Sequence, residues 1–206
     1  MRFAMTVILF ALTLAQCNYS NNPLVCKASA DEMEENKHAK SEKEGAHVCA
    51  APVSAEDSAK FISKQVSITG EVETPLTLSV DSLKKMNVAT IENFKVVCQS
   101  GTTAKDDKTC KGVLLKDILE KAGIKQANHK DRNFYIVARA SDNYKATFSW
   151  AEIFNNPTGE NTYVLFEEND MPIKEQGDMI LICKNDIKTG PRHVYWLKSI
   201  EVNRVE

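Results

Sequence analysis

Cysteine is the most chemically versatile residue type in this sequence, and its six copies are spread along the whole chain. Cys17 follows an apolar N-terminal run, which leaves Cys26, Cys49, Cys98, Cys110 and Cys183 as thiols able to pair, ligate or react. Because that set is odd, at least one of them stays unpaired within the chain. Cys98 and Cys110 flank one polar loop, and a bridge between them would close a short ring and stabilise the fold by about 3 kcal/mol in the chain-entropy account. Such a bridge would also be a candidate thiol/disulfide exchange site, although no Cys-x-x-Cys spacing is present. A second constellation is His38, His47 and Cys49, whose imidazoles and thiolate suit a soft metal. No fourth ligand follows at zinc-like spacing, so the three read as incidental residues of a polar linker rather than as a metal site.

The remaining charge pattern excludes more than it suggests. The formal net charge is -2, with 26 Lys and Arg mixed among 28 Asp and Glu. That balance provides neither a nucleic-acid surface nor a funnel for acidic substrates. With 206 residues and 43% hydrophobic content, the chain has material for one packed domain and an appendage.

The appendage is the N-terminus. Arg2 precedes an apolar run from Phe3 to Leu14, too short for a permanent membrane span, and residues 1–16 read as a signal peptide. The run ends in Leu14-Ala15-Gln16-Cys17, which resembles a bacterial lipobox with Gln16 as its poorest position. Cys17 is then either a lipid acceptor or an incidental cysteine beside an ordinary cleavage site. Residues 17–60 are predominantly polar, as in Asp31-Glu32-Met33-Glu34-Glu35-Asn36-Lys37, and read as a disordered tether. The expected location is therefore outside the cytoplasm, periplasmic or anchored to the cell envelope, with membrane contact only through a lipid anchor.

Residues 61–206 carry the periodicity of a folded domain. Val66, Ile68 and Val72 alternate with polar residues and predict a first strand. Ser79 is positioned to cap a short helix from Val80 to Met86. A second strand is predicted from about Ala89 to Ser100, followed by a polar loop from Gly101 to Lys111. Leu114, Leu115, Ile118, Leu119 and Ala122 recur at helical spacing, and Gly123 suits a left-handed C-terminal cap. Further strands are predicted at Phe134–Arg139, Tyr144–Phe148, Tyr163–Phe166, Met179–Cys183 and Val194–Val202, and Ser149 with Glu152 forms a capping box. Strands interrupted by short helices, without βαβ alternation, predict an α+β fold with a mixed sheet.

Three ordered segments carry a resemblance. Lys111-Gly112-Val113-Leu114-Leu115-Lys116-Asp117-Ile118-Leu119-Glu120-Lys121-Ala122-Gly123 is similar to the W-x-G-V-x-L-x-D-L-L-x-x-A-G helix of the sulfite oxidase family's molybdopterin-binding domain. Ser141-Asp142-Asn143-Tyr144 resembles that family's Ser-x-Asp-Gly-Tyr turn, with Asn143 in the left-handed position that Gly would take. Gly190-Pro191-Arg192-His193-Val194-Tyr195-Trp196-Leu197-Lys198-Ser199-Ile200 resembles its closing G-x-R-x-V-K-W-L-x-x-I.

The resemblance implies a cofactor, Mo-molybdopterin, and oxygen-atom transfer to or from a small anionic substrate, with an unknown redox partner handling the electrons. By the same resemblance Cys98 is the thiolate ligand of the metal, Arg192 and His193 approach the pterin phosphate or substrate, Arg139 is a further cofactor-binding candidate, and Tyr144 stands near the metal as a hydrogen-bonding catalytic group. Each has an ordinary alternative: Cys98 as a strand cysteine or half of a disulfide, Arg192 as a salt-bridge donor, His193 as a strand histidine, Tyr144 and Trp196 as core or rim aromatics. The chain also departs from the family pattern. Cys98-Gln99-Ser100-Gly101 stands where the enzymes carry Cys-x-Gly-Asn, and Tyr195 replaces the usual Lys. The sequence therefore also admits a non-catalytic module, binding a small ligand or a protein, on a scaffold that has lost its cofactor.

Overall fold

A computed structural model of the chain describes residues 59–101 and 107–206. The described residues all belong to one compact unit. The signal-peptide reading, the tether, Cys17, Cys26, His38, His47 and Cys49 lie outside the described residues.

Among the described residues two sheets carry the fold. In the first, β1 (Val66–Gly70) lies parallel to β10 (Leu197–Arg204), and β2 (Leu76–Leu78), β5 (Phe134–Ala140) and β6 (Lys145–Ser149) complete the order β2-β1-β10-β5-β6 with antiparallel neighbours. In the second, β3 (Val88–Phe94), β4 (Lys108–Leu114), β7 (Thr162–Glu168) and β8 (Met171–Pro172) are antiparallel in that order, and β9 (Ile180–Cys183) also pairs antiparallel with β7, along Thr162 to Leu165. Short helices α1 (Val80–Leu83), α2 (Leu115–Ala122) and α3 (Trp150–Phe154) interrupt the strands, so the fold is α+β with mixed sheets. No helix among the described residues is long and apolar enough to cross a membrane.

The amphipathic helix predicted after the polar loop is α2. Leu115, Ile118, Leu119 and Ala122 are buried on its inner face in the main core, with Ile68, Ile136, Val164 and Ile200. Gly123 caps it with φ at +69°, and its N–H reaches the carbonyl of Leu119 at 2.9 Å. Gly112 is required by close packing instead, because a Cβ there would lie 2.5 Å from the carbonyl oxygen of Val164 on β7. The capping box holds: Ser149 Oγ accepts from the Glu152 N–H at 3.2 Å and Glu152 accepts from the Ser149 N–H at 2.8 Å.

Four boundaries differ from the sequence expectation. The helix expected to reach Met86 ends at Leu83. The strand expected to reach Ser100 ends at Phe94. Beyond it, the Val97 N–H is taken by Thr189 Oγ1 at 2.9 Å and the Val97 carbonyl by the Gly190 N–H at 2.8 Å, so this stretch pairs with a turn rather than a strand. The segment from Lys108 to Lys111, expected as loop, is the start of β4, because Cys110 is fully buried while Lys108 and Lys111 pair with Glu168 and Glu167 on β7. The closing strand was expected to run unbroken from Val194. Val194 instead bridges to Leu181 in the second sheet, Trp196 takes φ +46°, and only from Leu197 does the chain join the first sheet. That crossing ties the two sheets together next to the site described below.

Candidate functional site

Cys98 sits half-buried just past β3, where the pairing of Val97 with Thr189 and Gly190 fixes the backbone. Together with Gln99, Tyr144, Gly190 and Pro191 it lines an open pocket of about 400 Å³. Tyr144 reaches the pocket from the turn between β5 and β6. Asn143 adopts φ +74° there, as expected for an Asn in the Gly position, and the Asp142 carboxylate accepts from the Tyr144 N–H at 2.9 Å. The Tyr144 phenol donates to the Pro191 carbonyl at 2.7 Å, which holds the ring against the turn Gly190–Arg192. Outside the lining, Lys188 donates from Nζ to the Gln99 carbonyl. The sequence-nominated Cys98 and Tyr144 are thus brought together, with the backbone preceding Arg192 between them.

The sulfur of Cys98 is disulfide-bonded. Cys110 and Cys183 are both free and buried, so the Cys98–Cys110 bridge considered from the sequence does not form. The reason is direction: Cys110 points from β4 into a second apolar cluster with Ile91, Phe94, Leu165 and Ile180, away from the pocket. The exchange site proposed for that pair falls with it. Burial, with Glu168 nearby, pushes the Cys110 thiol up to about 12, and burial also raises Cys183, so neither is a ready nucleophile.

The two arginines nominated as anion binders are committed elsewhere. Arg192 Nε donates to Asp186 Oδ2 at 2.7 Å, a second guanidinium nitrogen binds the other oxygen of Asp186, and Nη1 donates to Glu152 at 2.9 Å. Its guanidinium carbon lies 4.5 Å from the centre of the Phe148 ring. These hydrogen bonds to Asp186 raise the Arg192 pKa further above its already high value. Glu152 is pushed up by burial but pulled down more by the Ser149 N–H and by Arg192, leaving its carboxyl below the ordinary value of 4.5. Arg139 forms a two-pronged pair with Glu201 on the neighbouring β10, at 2.8 Å and 2.9 Å. That pair holds Glu201 below the usual carboxylate range.

His193 is not at the pocket. It is 5% exposed, with its ring 5.9 Å from that of Phe94 and 4.4 Å from that of Tyr195. Desolvation, with Lys108 adding repulsion, pushes its pKa down to about 3, so it is neutral at ordinary pH. Neither ring nitrogen has a hydrogen-bond partner among the described residues. An anion-binding imidazole would need to be accessible or charged, and His193 is neither.

With that geometry in place, comparison with known proteins becomes informative. The family described as oxidoreductase molybdopterin binding domain matches residues 51–206. The chain belongs to the oxidoreductase molybdopterin-binding domain family. Among solved structures, the sulfane dehydrogenase SoxCD from Paracoccus pantotrophus is similar, with a TM-score of 0.52 and 16% identity over 75% of this chain. The chain spans 40% of that structure's chain, and at this identity the likeness concerns the fold, which is sulfite oxidase-like as the three sequence segments implied. No curated protein sequence matches.

A molybdopterin-binding domain of this family would hold its metal through a thiolate and its pterin phosphate through cations. The residues present do not fit that cofactor. Cys98 is a disulfide sulfur and has no thiolate to donate. The pocket lining of Cys98, Gln99, Tyr144, Gly190 and Pro191 includes no cation. Arg139 and Arg192 are neutralised by Glu201, Asp186 and Glu152, and freeing either would leave carboxylates stranded.

Sequence reasoning missed Asp186, Lys188 and Thr189. Asp186 turns Arg192 from a ligand-binding cation into a structural one. Thr189 fixes the strand end before Cys98 by accepting from the Val97 N–H and donating to the Lys95 carbonyl at 2.8 Å. The available signal was the charge alternation in Lys184-Asn185-Asp186-Ile187-Lys188, which places an acid six residues before Arg192.

Proposed function

We propose that this chain is an exported, non-catalytic binding module built on the molybdopterin-binding scaffold. The observation that carries this reading is the commitment of every charged or ligating group the family would use. Cys98 is in a disulfide, Arg192 is bound by Asp186 and Glu152, and Arg139 is bound by Glu201. The binding position is the pocket of Cys98, Tyr144 and Pro191, whose volume of about 400 Å³ lies at the small end of ligand sites. Its ligand is a small molecule with a hydrogen-bonding group for Tyr144. Export rests on the signal-like residues 1–16, which support a periplasmic or envelope-anchored location with Cys17 as the lipid acceptor.

A second reading is retained because one observation favours it. Cys98 and Tyr144 line a single pocket, the juxtaposition that oxygen-atom transfer at a molybdenum centre would use. Molybdenum and pterin analysis of the full chain, expressed in a host that makes the cofactor, decides between the two. The binding-module reading expects neither in stoichiometric amount, and one molybdenum per chain would replace it with the oxidoreductase reading.

A further inference from the structure

We infer that the chain carries a second ligand site, separate from the Cys98 pocket, which takes a small amphipathic anion: a carboxylate on an apolar body. A pocket of about 510 Å³ opens where the segment before β1, helix α1 and the β7–β8 hairpin meet, and it shares no lining residue with the pocket of Cys98 and Tyr144. Its volume falls within the ordinary range of small-molecule sites. It does not rest on the binding-module reading.

The apolar half of this pocket comes from the second sheet and α1. Phe166, 3% exposed, belongs to the main core, and Ile173, 7% exposed, to the second cluster, so the lining spans the seam between the two. On β7, Leu165 lies opposite Gly112 and Glu167 opposite Lys111, which leaves Phe166 as the extra residue of a β-bulge. Neighbouring strand residues ordinarily face opposite sides of a sheet, and the bulge lets Phe166 and Glu167 line the same pocket. The Ile173 N–H donates to the Phe166 carbonyl at 3.3 Å and fixes the chain after β8 beside that bulge. Val80 opens α1, and the Lys84 N–H donates to its carbonyl at 2.9 Å, so the two side chains share one face of the turn.

The charged part of the lining is unbalanced. Lys64, Lys84 and Lys174 stand against Glu167 and Asp178. Asp178 already accepts from Lys64 at 2.9 Å, and Glu167 accepts from Lys111, which lies outside the lining. Lys84 and Lys174 have no carboxylate partner among the described residues, and Lys84 Nζ lies 5.8 Å from the centre of the Phe166 ring. Two uncompensated cations beside an apolar wall complement a ligand that buries hydrocarbon against Phe166 and Ile173 and turns a carboxylate toward Lys84 and Lys174. A cationic amphiphile would have to displace Lys64 or Lys111 from its acid.

The probe is octanoate, titrated into the isotope-labelled full chain and followed by amide NMR shifts. Saturable shifts are expected at Lys84, Phe166 and Ile173 and not at Gln99 or Tyr144. The double variant Lys84→Ala with Lys174→Ala changes two exposed side chains, so it should leave the thermal midpoint nearly unchanged while weakening octanoate binding about tenfold. Octylammonium, with the same apolar body and the opposite charge, should bind at least about tenfold more weakly than octanoate. Absence of saturable shifts, equal binding of octylammonium, an unweakened double variant, or saturation at Gln99 and Tyr144 would each overturn the site. Shifts of the same amides that follow protein concentration rather than octanoate would assign this face to a second copy of the chain and overturn it as well. Molybdenum content, which tests the binding-module reading, is independent of all these outcomes.

Discussion

Two cysteines that flank one polar stretch of sequence end in opposite surroundings. Cys98 lines an open pocket with Tyr144 and Pro191, while Cys110 is sealed among Ile91, Phe94 and Leu165 with His193 and Tyr195 close by. The first region contains accessible groups held by backbone hydrogen bonds; the second contains chemistry-capable side chains that packing has silenced. Residue type nominated both regions, and environment separates them. A fold can keep the sequence signature of a cofactor site in its strands and turns while its charged side chains pair with one another.

The contrast is broken most strongly from the packed side. Phe94→Ala, which removes a 1%-exposed ring lying against His193, should cost about 3–5 kcal/mol, read as a lower denaturant midpoint with little change in slope. A loss below about 1 kcal/mol would mean that the second cluster is not a packed core.

Arg192→Ala comes next, at about 2 kcal/mol, because Asp186 and Glu152 lose their shared partner. The same pair gives a pH dependence of definite sign. The Glu152 carboxyl titrates below its ordinary 4.5 in the folded state, so its contribution is present above pH 4.5 and is lost as pH falls through the lower folded value. Thermal melts from pH 6 to pH 3 should therefore fall more steeply for wild type than for Arg192→Ala, whereas parallel curves would deny the coupling.

On the pocket side the effects are smaller. Tyr144→Phe deletes one hydrogen bond to the Pro191 carbonyl at a half-exposed site and should cost about 0.5–1 kcal/mol. Thiol labelling sharpens the comparison without any mutation. At pH 8, native Cys110, whose pKa burial lifts to about 12, should stay unlabelled over hours and react only after denaturant is added. Rapid native labelling of Cys110 would remove the distinction between the two regions.

The elements that local periodicity controls were legible in the sequence: α2 from its spaced Leu and Ile residues, its Gly123 cap, the Ser149–Glu152 box and the Asn143 turn. What stayed hidden depended on partners far along the chain. Nothing local says that Val97 will pair with Thr189 and Gly190 and so end β3 early, or that Glu201 will take Arg139. Arg192 and His193 are adjacent in sequence, yet one guanidinium is tied to carboxylates and the next imidazole is buried between aromatic rings, because the chain changes sheets at this point. The motif therefore located the scaffold correctly, while the roles of its polar residues were set by Asp186, Glu152 and Glu201.

The central claim is that the cofactor contacts of this scaffold have become structural bonds, so that freeing the sulfur would not by itself restore the site. Molybdenum per chain, measured side by side for protein purified with and without a thiol reductant from a cofactor-producing host, tests it most directly. The account predicts none in either preparation, because Arg139 and Arg192 remain bound to their carboxylates. One molybdenum per chain in either preparation would contradict it.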